Sequence, residues 1–177
     1  DLAARGVARF GPDGVRLSDA TRGGVDCFDV HPVPSGVLVS DIANDRVDLY
    51  DPVLGTPIQS FVLTDFPEQI ARRRNGNLLV VAYLANEIVE FTPEGAVVRQ
   101  LPITNLGRGV VELGNGNLLV SSGGGVREID SLNGDVIRTV RLGEGFRFVD
   151  RANFGSNCVY AGCDEGGDLT GDCAVDL

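Results

Sequence analysis

Histidine is the usual side chain for acid–base catalysis and zinc binding near neutral pH, and this chain of 177 residues has one, His31. A catalytic or metal site built on two histidines is therefore excluded. A serine nucleophile is no better supported, because Val120 stands two places before Ser122, where a nucleophile elbow needs Gly. The 25 Asp and Glu residues are spread along the chain, and no two of them can be assigned to one site.

The strongest pattern in the sequence is a repeat with a period of 40 residues. Residues 75–80 read Asn-Gly-Asn-Leu-Leu-Val, and residues 115–120 read the same. A weaker copy, Gly-Ser-Asn-Cys-Val-Tyr, stands at 155–160, and an earlier one at 35–39 fits with one residue deleted. A fixed period of this length indicates a repeat architecture, in which each unit is one supersecondary element.

Each repeat contains short segments typical of β-strands. In the second repeat they are residues 68–71, 77–82, 86–91 and 96–101, rich in Val, Ile and Leu and separated by Asn-Gly and Pro-x-Gly turns. The first repeat predicts strands at 37–41, 45–50 and 57–63, after a first strand that contains His31, and the third predicts 117–121, 126–129 and 135–142. Four strands per roughly 40–45 residues are typical of one β-propeller blade. We therefore predict an all-β fold, a β-propeller of four-stranded antiparallel blades with almost no helix.

The two ends of the repeat region are complementary parts of one further blade. Residues 7–10 and 15–17 match the third and fourth strands, and residues 146–149 and 157–161 match the first and second. Pairing of 5–19 beside 146–161 would close a ring of four blades, one of them composite, and would remove exposed sheet edges. The alternative is a fragment of a larger propeller, since the chain does not begin with Met. We expect the blades over residues 1–161 and an acidic tail over 162–177.

The first repeat resembles the NHL-type propeller repeat. The resemblance lies in Gly-Val-Leu-Val-Ser-Asp at 36–41 and Asn-Asp-Arg-Val-Asp-Leu-Tyr-Asp-Pro at 44–52. The second repeat keeps Asn86, Ile88, Phe91 and Gly95, while the third lacks most of the polar residues of this pattern. The resemblance implies a propeller that acts as a binding scaffold more often than as an enzyme.

The tail resembles the start of a dockerin-type calcium loop, and reads Gly-Asp-Leu-Thr-Gly-Asp-Cys-Ala-Val-Asp-Leu over 167–177. The resemblance implies calcium ligands at Asp168, Thr170, Asp172 and Asp176, which fall at positions 1, 3, 5 and 9 of an EF-hand-like loop. Position 6, normally Gly, is Cys173, and position 12 lies beyond residue 177. We therefore expect calcium binding only when the loop is completed, and a cohesin-like partner for the tail in the full-length protein.

Composition narrows the class of partner and the compartment. The formal net charge of −10 argues against nucleic acid, which needs a basic face. The one basic cluster, Arg72-Arg73-Arg74, precedes an Asn-Gly turn, and we interpret it as a solvated blade corner.

No apolar stretch is long enough to span a membrane. There is no Cys-x-x-Cys pair, so zinc is not indicated. The dockerin-like tail implies a bacterial protein that is secreted or extracellular, where Cys158, Cys163 and Cys173 could supply a disulfide.

These observations predict a non-catalytic binding module. Propeller loops place polar and aromatic side chains at one mouth of the central channel, and the candidate ligand-binding residues are Asp41, Asn44, Tyr83, Asn86 and Arg108. Such a rim suits either a protein or a glycan ligand. The alternative is a propeller hydrolase or lyase whose catalytic blades are missing from this chain.

Overall fold

The structure is a computed structural model, and it describes residues 6–21, 26–62, 65–143 and 145–150. These residues contain fourteen strands and no helix, so the all-β prediction is confirmed, and none of them forms a helix that could cross a membrane. The strands are β1 Gly6–Phe10, β2 Arg16–Thr21, β3 Cys27–Val33, β4 Gly36–Asp41, β5 Arg46–Tyr50, β6 Pro57–Val62, β7 Pro67–Arg72, β8 Leu78–Ala82, β9 Glu87–Phe91, β10 Val97–Pro102, β11 Gly107–Glu112, β12 Leu118–Ser122, β13 Gly125–Ile129 and β14 Val136–Leu142.

The strands form three four-stranded antiparallel sheets and one hairpin. Strands β3–β6 make blade 1, β7–β10 make blade 2 and β11–β14 make blade 3, each paired in chain order. Within the described residues β1 and β2 pair with each other alone. The first strands of successive blades touch, β3 with β7 and β7 with β11. The sheets are therefore arranged radially, with these three strands innermost, as in a β-propeller.

The repeated Asn-Gly-Asn motif forms the turn between the first two strands of blades 2 and 3. Gly76 and Gly116 have φ angles of 92° and 88°, left-handed conformations that glycine adopts without steric cost. In blade 2 the Gly76 amide donates to the Arg73 carbonyl at 3.0 Å, and the Asn77 amide donates to Asn75 Oδ1 at 2.9 Å. The motif thus determines where the second strand begins.

The hydrophobic core lies between the blades, which explains why the apolar runs are continuous. Successive side chains of a strand point to opposite faces, and both faces of β8 are covered. Leu78 and Val80 pack towards blade 1, whereas Leu79 and Val81 pack towards blade 3. Of the six residues predicted to be buried between blades (Leu78, Leu79, Val80, Leu118, Leu119 and Val120), only Leu119 is half-buried. It points away from blade 2, onto a face that no described strand covers.

The hairpin of β1 and β2 occupies the place of a blade before blade 1. Val7 of β1 packs against a small cluster on the far side of blade 1, formed by Val39, Tyr50 and Leu54. This agrees with the prediction that the first residues of the chain supply two strands of a partial blade.

The predicted closure of the ring is not seen in the described residues. Residues 146–149, expected to be the first strand of the composite blade, form no strand here; Gln69 binds the Val149 backbone, and the Ser122 carbonyl accepts a hydrogen bond from the Phe146 amide. Residues 5 and 151–161, the remainder of the expected pairing, and the tail over 162–177 lie outside the described ranges. The described chain is an arc of three blades and a hairpin, in agreement with the fragment alternative.

Candidate functional site

All five candidate ligand-binding residues lie at one edge of the blades. This edge, called here the upper edge, carries the turns β4–β5, β8–β9 and β12–β13 and the first residues of the inner strands. Asp41 ends β4, Asn44 lies in the next turn, Tyr83 and Asn86 lie in the β8–β9 turn, and Arg108 is the second residue of β11. The propeller topology brings them to one side because equivalent strands run in the same direction in every blade.

Asp41 was expected to be exposed, but its side chain is fully buried and holds the β4–β5 turn. Its Oδ1 accepts hydrogen bonds from the amides of Asp26 and Ala43, both at 3.2 Å, and its Oδ2 accepts one from Asn44 Nδ2 at 2.7 Å. Arg46 lies 3.5 Å from the same carboxylate. A carboxylate used in this way organises the turn and offers no surface to a ligand.

Asn86 also acts on the backbone. It has a φ of 54°, a left-handed conformation that Asn tolerates better than most residues. Its Oδ1 accepts a hydrogen bond from the Leu106 amide at 2.9 Å, and its carbonyl accepts one from the Ile103 amide at 2.8 Å. Asn86 therefore positions the β10–β11 connection, which leads directly to Arg108.

Tyr83 and Arg108 are brought into direct contact. The Arg108 guanidinium carbon lies 4.1 Å from the centroid of the Tyr83 ring, a cation–π distance. Phe66, before β7, lies against the same tyrosine with ring centroids 5.7 Å apart. Arg108 Nη1 donates to Glu68 Oε1 at 2.7 Å. These four residues, Phe66, Glu68, Tyr83 and Arg108, are called here the Arg108 cluster.

Glu68 is the residue of this cluster that the sequence analysis missed. Its side chain is fully buried, and Oε2 has no hydrogen-bond partner among the described residues. Burial raises the pKa of Glu68 to about 7, against the opposing attraction of Arg108 and Arg147. A signal existed in the sequence: Glu68 and Arg108 are one 40-residue period apart, so the repeat places them at equivalent positions on adjacent inner strands.

His31 lies on the inner strand β3 and is half-buried. Burial lowers its pKa, and Arg72 acts in the same direction, whereas Asp29 and Asp150 oppose the change. Asp29 Oδ2 accepts a hydrogen bond from the Ile70 amide at 2.7 Å and so links blade 1 to blade 2. No three His, Cys, Asp or Glu side chains of the described ranges are placed to hold a metal ion.

The opposite edge of the blades, called here the lower edge, carries structural ion pairs. Arg73 was expected to be part of a solvated corner, but its side chain is 12% exposed and pairs with Glu90 at 2.8 Å and Glu112 at 2.7 Å. In blade 3 Glu128 accepts hydrogen bonds from Asn115 and Asn117, at 2.9 and 2.6 Å. Both asparagines of the repeated motif thus bind a carboxylate of the third strand, which ties the turn to the blade.

The remaining residues to be placed are the proposed calcium ligands and the four cysteines. The proposed calcium ligands Asp168, Thr170, Asp172 and Asp176 and the cysteines Cys158, Cys163 and Cys173 belong to 151–177, which the structure does not describe. Cys27 is a free thiol, and burial raises its pKa to about 11. A thiol held protonated in this way is a poor nucleophile.

No protein-family model matches this chain, and no curated protein matches it. Several solved structures, however, are similar to this chain. A Bacteroides caccae protein of unknown function is 19% identical, with a TM-score of 0.60 over 77% of this chain and 54% of that one. Catalytically inactive virginiamycin B lyase from Staphylococcus aureus, solved with quinupristin, is 16% identical, with a TM-score of 0.63 over 76% and 48%. The WD40 β-propeller domain of Doa1 is 16% identical, with a TM-score of 0.61 over 73% and 45%.

These similarities, together with the radial blades, show that the chain has a β-propeller fold. It spans about half the length of the solved structures it resembles. At these identities the comparison concerns the fold alone, and it includes both a lyase and a WD40 domain.

Proposed function

We propose that this chain is a propeller binding module that takes a protein or glycan ligand at its upper edge, through Tyr83 and Arg108. The observation that supports the proposal is the contact between these two side chains, which are only partly buried. One N–H donor of Arg108 is bound to Glu68, and its other donors have no acceptor among the described residues. They are therefore available for the oxygen atoms of a ligand.

The net charge of the chain favours a ligand with no large negative charge. Glu68 lies 2.7 Å from the Arg108 guanidinium, and the chain as a whole carries a net charge of −10, which repels polyanions. Peptide carbonyls and sugar hydroxyls both accept hydrogen bonds from a guanidinium, and tyrosine faces pack on sugar rings and on apolar side chains. Tyr and Arg are also enriched among the residues that dominate binding energy at protein interfaces.

A second function is favoured by one feature of Glu68. A buried carboxyl whose pKa is raised to about 7 matches the requirement for a general acid or base at neutral pH. In the hydrolase or lyase alternative, Glu68 would serve this role, with other blades supplying the rest of the site.

Two further parts of the proposal, export from the cell and attachment of the propeller to a partner protein, rest on the resemblance of the tail to a dockerin-type loop. We propose that the full-length protein is exported and that its completed calcium loop binds a cohesin-like partner. The propeller would then be carried as the ligand-binding part of an extracellular assembly.

The binding proposal is tested by applying the chain to an array of neutral and uronate-containing oligosaccharides and to an array of synthetic peptides. For any probe that binds, Tyr83→Ala and Arg108→Lys should each weaken binding by about ten-fold, the usual scale for loss of one strong contact. Arg108→Lys keeps the charge beside buried Glu68, so folding is preserved, while the planar donor set is lost.

Arg74→Gln is the matched control, because Arg74 is an exposed arginine at the lower edge. Binding reduced equally by Arg74→Gln, or unchanged in both upper-edge variants, would refute the proposed site. Failure of both arrays to give any bound probe would refute the binding function. A probe that the wild type cleaves and Glu68→Gln leaves intact would establish the alternative.

A further inference from the structure

A cleft lies between blades 2 and 3 and shares no residue with the Arg108 cluster. Ile103 and Thr104, which follow β10, line it from blade 2. Blade 3 supplies the other lining residues, which are Val120, Ser122, Arg127, Ile129, Gly134 and Val136. Its volume is about 260 Å³, including the part open to solvent. Pockets for drug-sized ligands typically measure about 300–1,000 Å³, so this cleft suits a smaller group.

The equivalent positions of blade 2 are apolar and buried. Val89, the third residue of β9, is 1% exposed and packs towards blade 1, and Ala82 at the end of β8 is fully buried. In blade 3 the residues at these positions are Arg127, the third residue of β13, and Ser122 at the end of β12. Blade 3 thus places a guanidinium and a hydroxyl in a layer that blade 2 fills with hydrocarbon.

Arg127 is half-buried, yet no carboxylate of the described residues forms an ion pair with it. The other four half-buried arginines of the described ranges each pair with a carboxylate at 3.5 Å or less, and they are Arg46, Arg73, Arg99 and Arg108. Arg127 Nη1 donates to Ser122 Oγ at 3.3 Å, and its other N–H donors have no acceptor in this part of the chain. Because a cation partly removed from water gains most from a direct counter-ion, an anion in the cleft would bind favourably.

The β12–β13 turn holds the guanidinium in place. Ser122 Oγ donates to the Gly125 carbonyl and accepts from the Gly124 amide, both at 3.2 Å, so its second acceptor position is left for Arg127. A Cβ atom at residue 124 would lie 3.3 Å from Arg127 Nη2, so Gly124 leaves the space that the guanidinium occupies. The donors of Arg127 are therefore positioned before any ligand arrives.

We propose that this cleft binds a carboxylate carried on a short aliphatic chain. The carboxylate accepts hydrogen bonds from Arg127, whose planar fork of donors matches its two oxygen atoms. The aliphatic chain packs on the apolar lining residues, which are Ile103, Val120, Ile129 and Val136. The net charge of −10 disfavours a ligand with more negative charges, and the small volume limits the length of the chain. This site is independent of the binding proposed through Tyr83 and Arg108.

The test is an NMR titration of the isotope-labelled chain with sodium butyrate at constant ionic strength. Butyrate should shift the amide resonances of Ser122 and Gly124 and the Nε–H resonance of Arg127 in a saturable way, with a Kd of about 1–10 mM, as suits a ligand of few atoms. Butyramide has a similar shape and no charge, and it should bind at least about ten-fold more weakly. Acetate, which lacks the chain, should bind about three-fold more weakly or worse.

Variants locate the site. Arg127→Gln should weaken butyrate binding by about ten-fold or more, and Arg127→Lys, which keeps the charge but not the planar fork, by about three-fold. Val136→Ala, at a 46% exposed position, should weaken butyrate binding by about three-fold and leave acetate binding unchanged. Arg141→Gln is the matched control and should change nothing, because Arg141 pairs with Val126 and so lies on the other face of the sheet from Arg127. Arg108→Lys should also leave butyrate binding intact, which separates this cleft from the site at the upper edge.

The same carboxylate can belong to a free acid or to the C-terminus of a peptide, and a second titration distinguishes these sources. It uses the peptide Gly-Gly-Ala-Val with a free C-terminus and the same peptide as its C-terminal amide. Tighter binding of the free peptide than of butyrate assigns the cleft to a chain end, and tighter binding of butyrate assigns it to a free acid. The peptide amide should bind in neither case.

Four results would overturn the proposal. They are no saturable shift at up to about 50 mM butyrate, equal binding of butyrate and butyramide, butyrate binding that both Arg127 variants leave unchanged, and an equal loss of binding in Arg141→Gln. The dispersed amide spectrum of each variant shows whether it is folded. If Arg127→Gln does not fold, Arg127→Lys and Val136→Ala still decide the outcome.

Discussion

Glu68→Gln tests the electrostatic account of the Arg108 cluster. The folded state raises the pKa of Glu68 from its ordinary value of 4.5 to about 7, first because the carboxyl is buried. Between these two pH values the folded chain binds more protons than the unfolded chain, so stability falls as pH rises. Glutamine at position 68 does not titrate, and it keeps an oxygen that can accept from Arg108.

The size of the effect follows from the pKa interval. From 4.5 to about 7, at ~1.36 kcal/mol per pH unit, the full contribution is about 3 kcal/mol. Arg108 and Tyr83 are only partly buried, so solvent screens the site, and we expect about 2 kcal/mol. The free energy of unfolding of the wild type, relative to Glu68→Gln, should therefore fall by about 2 kcal/mol between pH 4.5 and 8.

The assay is urea denaturation of both proteins across this pH range, followed by circular dichroism. Subtraction of one profile from the other removes the contribution of His31 and of every other group that the two proteins share. Glu128→Gln is a control of opposite sign: the Asn117 hydrogen bond is the main cause that lowers the pKa of Glu128. Its stabilising contribution is present above pH 4.5 and should be lost as pH falls further.

The result that would refute this account is a difference that stays flat, or one that rises with pH. A flat difference would mean that the attraction of Arg108 for the Glu68 carboxylate offsets burial, and a rising one that it outweighs burial. The general acid or base role suggested for Glu68 would then lose its support, whereas the proposed binding through Tyr83 and Arg108 would remain.

Three other outcomes are expected from the structure. Val80→Ala, at a fully buried position between blades, should lower the free energy of unfolding by about 2 kcal/mol, and Leu132→Ala, at an 80% exposed position, by less than about 0.5 kcal/mol, both measured by urea denaturation. Asn117→Ala, which removes the 2.6 Å hydrogen bond to Glu128, should cost about 1.5–3 kcal/mol in the same assay. Calorimetric titration should detect calcium binding only after the chain is extended to supply the twelfth loop position, and Asp168→Ala should abolish it; binding that persists in this variant would contradict the resemblance.

The sequence and the structure agree best where the information is local. Each Asn-Gly-Asn turn marks the start of a second strand, and the apolar runs after it predict strands within a residue or two of β8 and β12. The repeat also predicted a strand at 146–149, but residues 145–150 form none in the described part of the chain. The expected partner at 157–161 lies outside the described ranges, and the Val149 backbone is bound by the Gln69 side chain, a contact that no repeat pattern specifies.

The functional residues were anticipated only in part. Tyr83 and Arg108 were chosen as loop residues and do meet, but Asp41 was chosen on the same grounds and is buried beneath its own turn. Whether a polar side chain near a turn faces solvent or caps the backbone depends on a rotamer and on nearby amides, neither of which the residue type specifies. Glu68 was missed because its spacing of one 40-residue period from Arg108 becomes a signal only when the repeats are aligned and adjacent inner strands are compared position by position.

What the sequence determined by itself is the period of 40 residues, the four strands of each repeat and the all-β propeller, because turns and strand patterns depend on residues close together in the chain. Only the tertiary structure decided that Glu68 meets Arg108, that Arg73 pairs with Glu90 and Glu112, and that Gln69 binds the Val149 backbone. These contacts join side chains from different blades or loops. Their existence depends on how the blades pack and on which polar groups that packing removes from water.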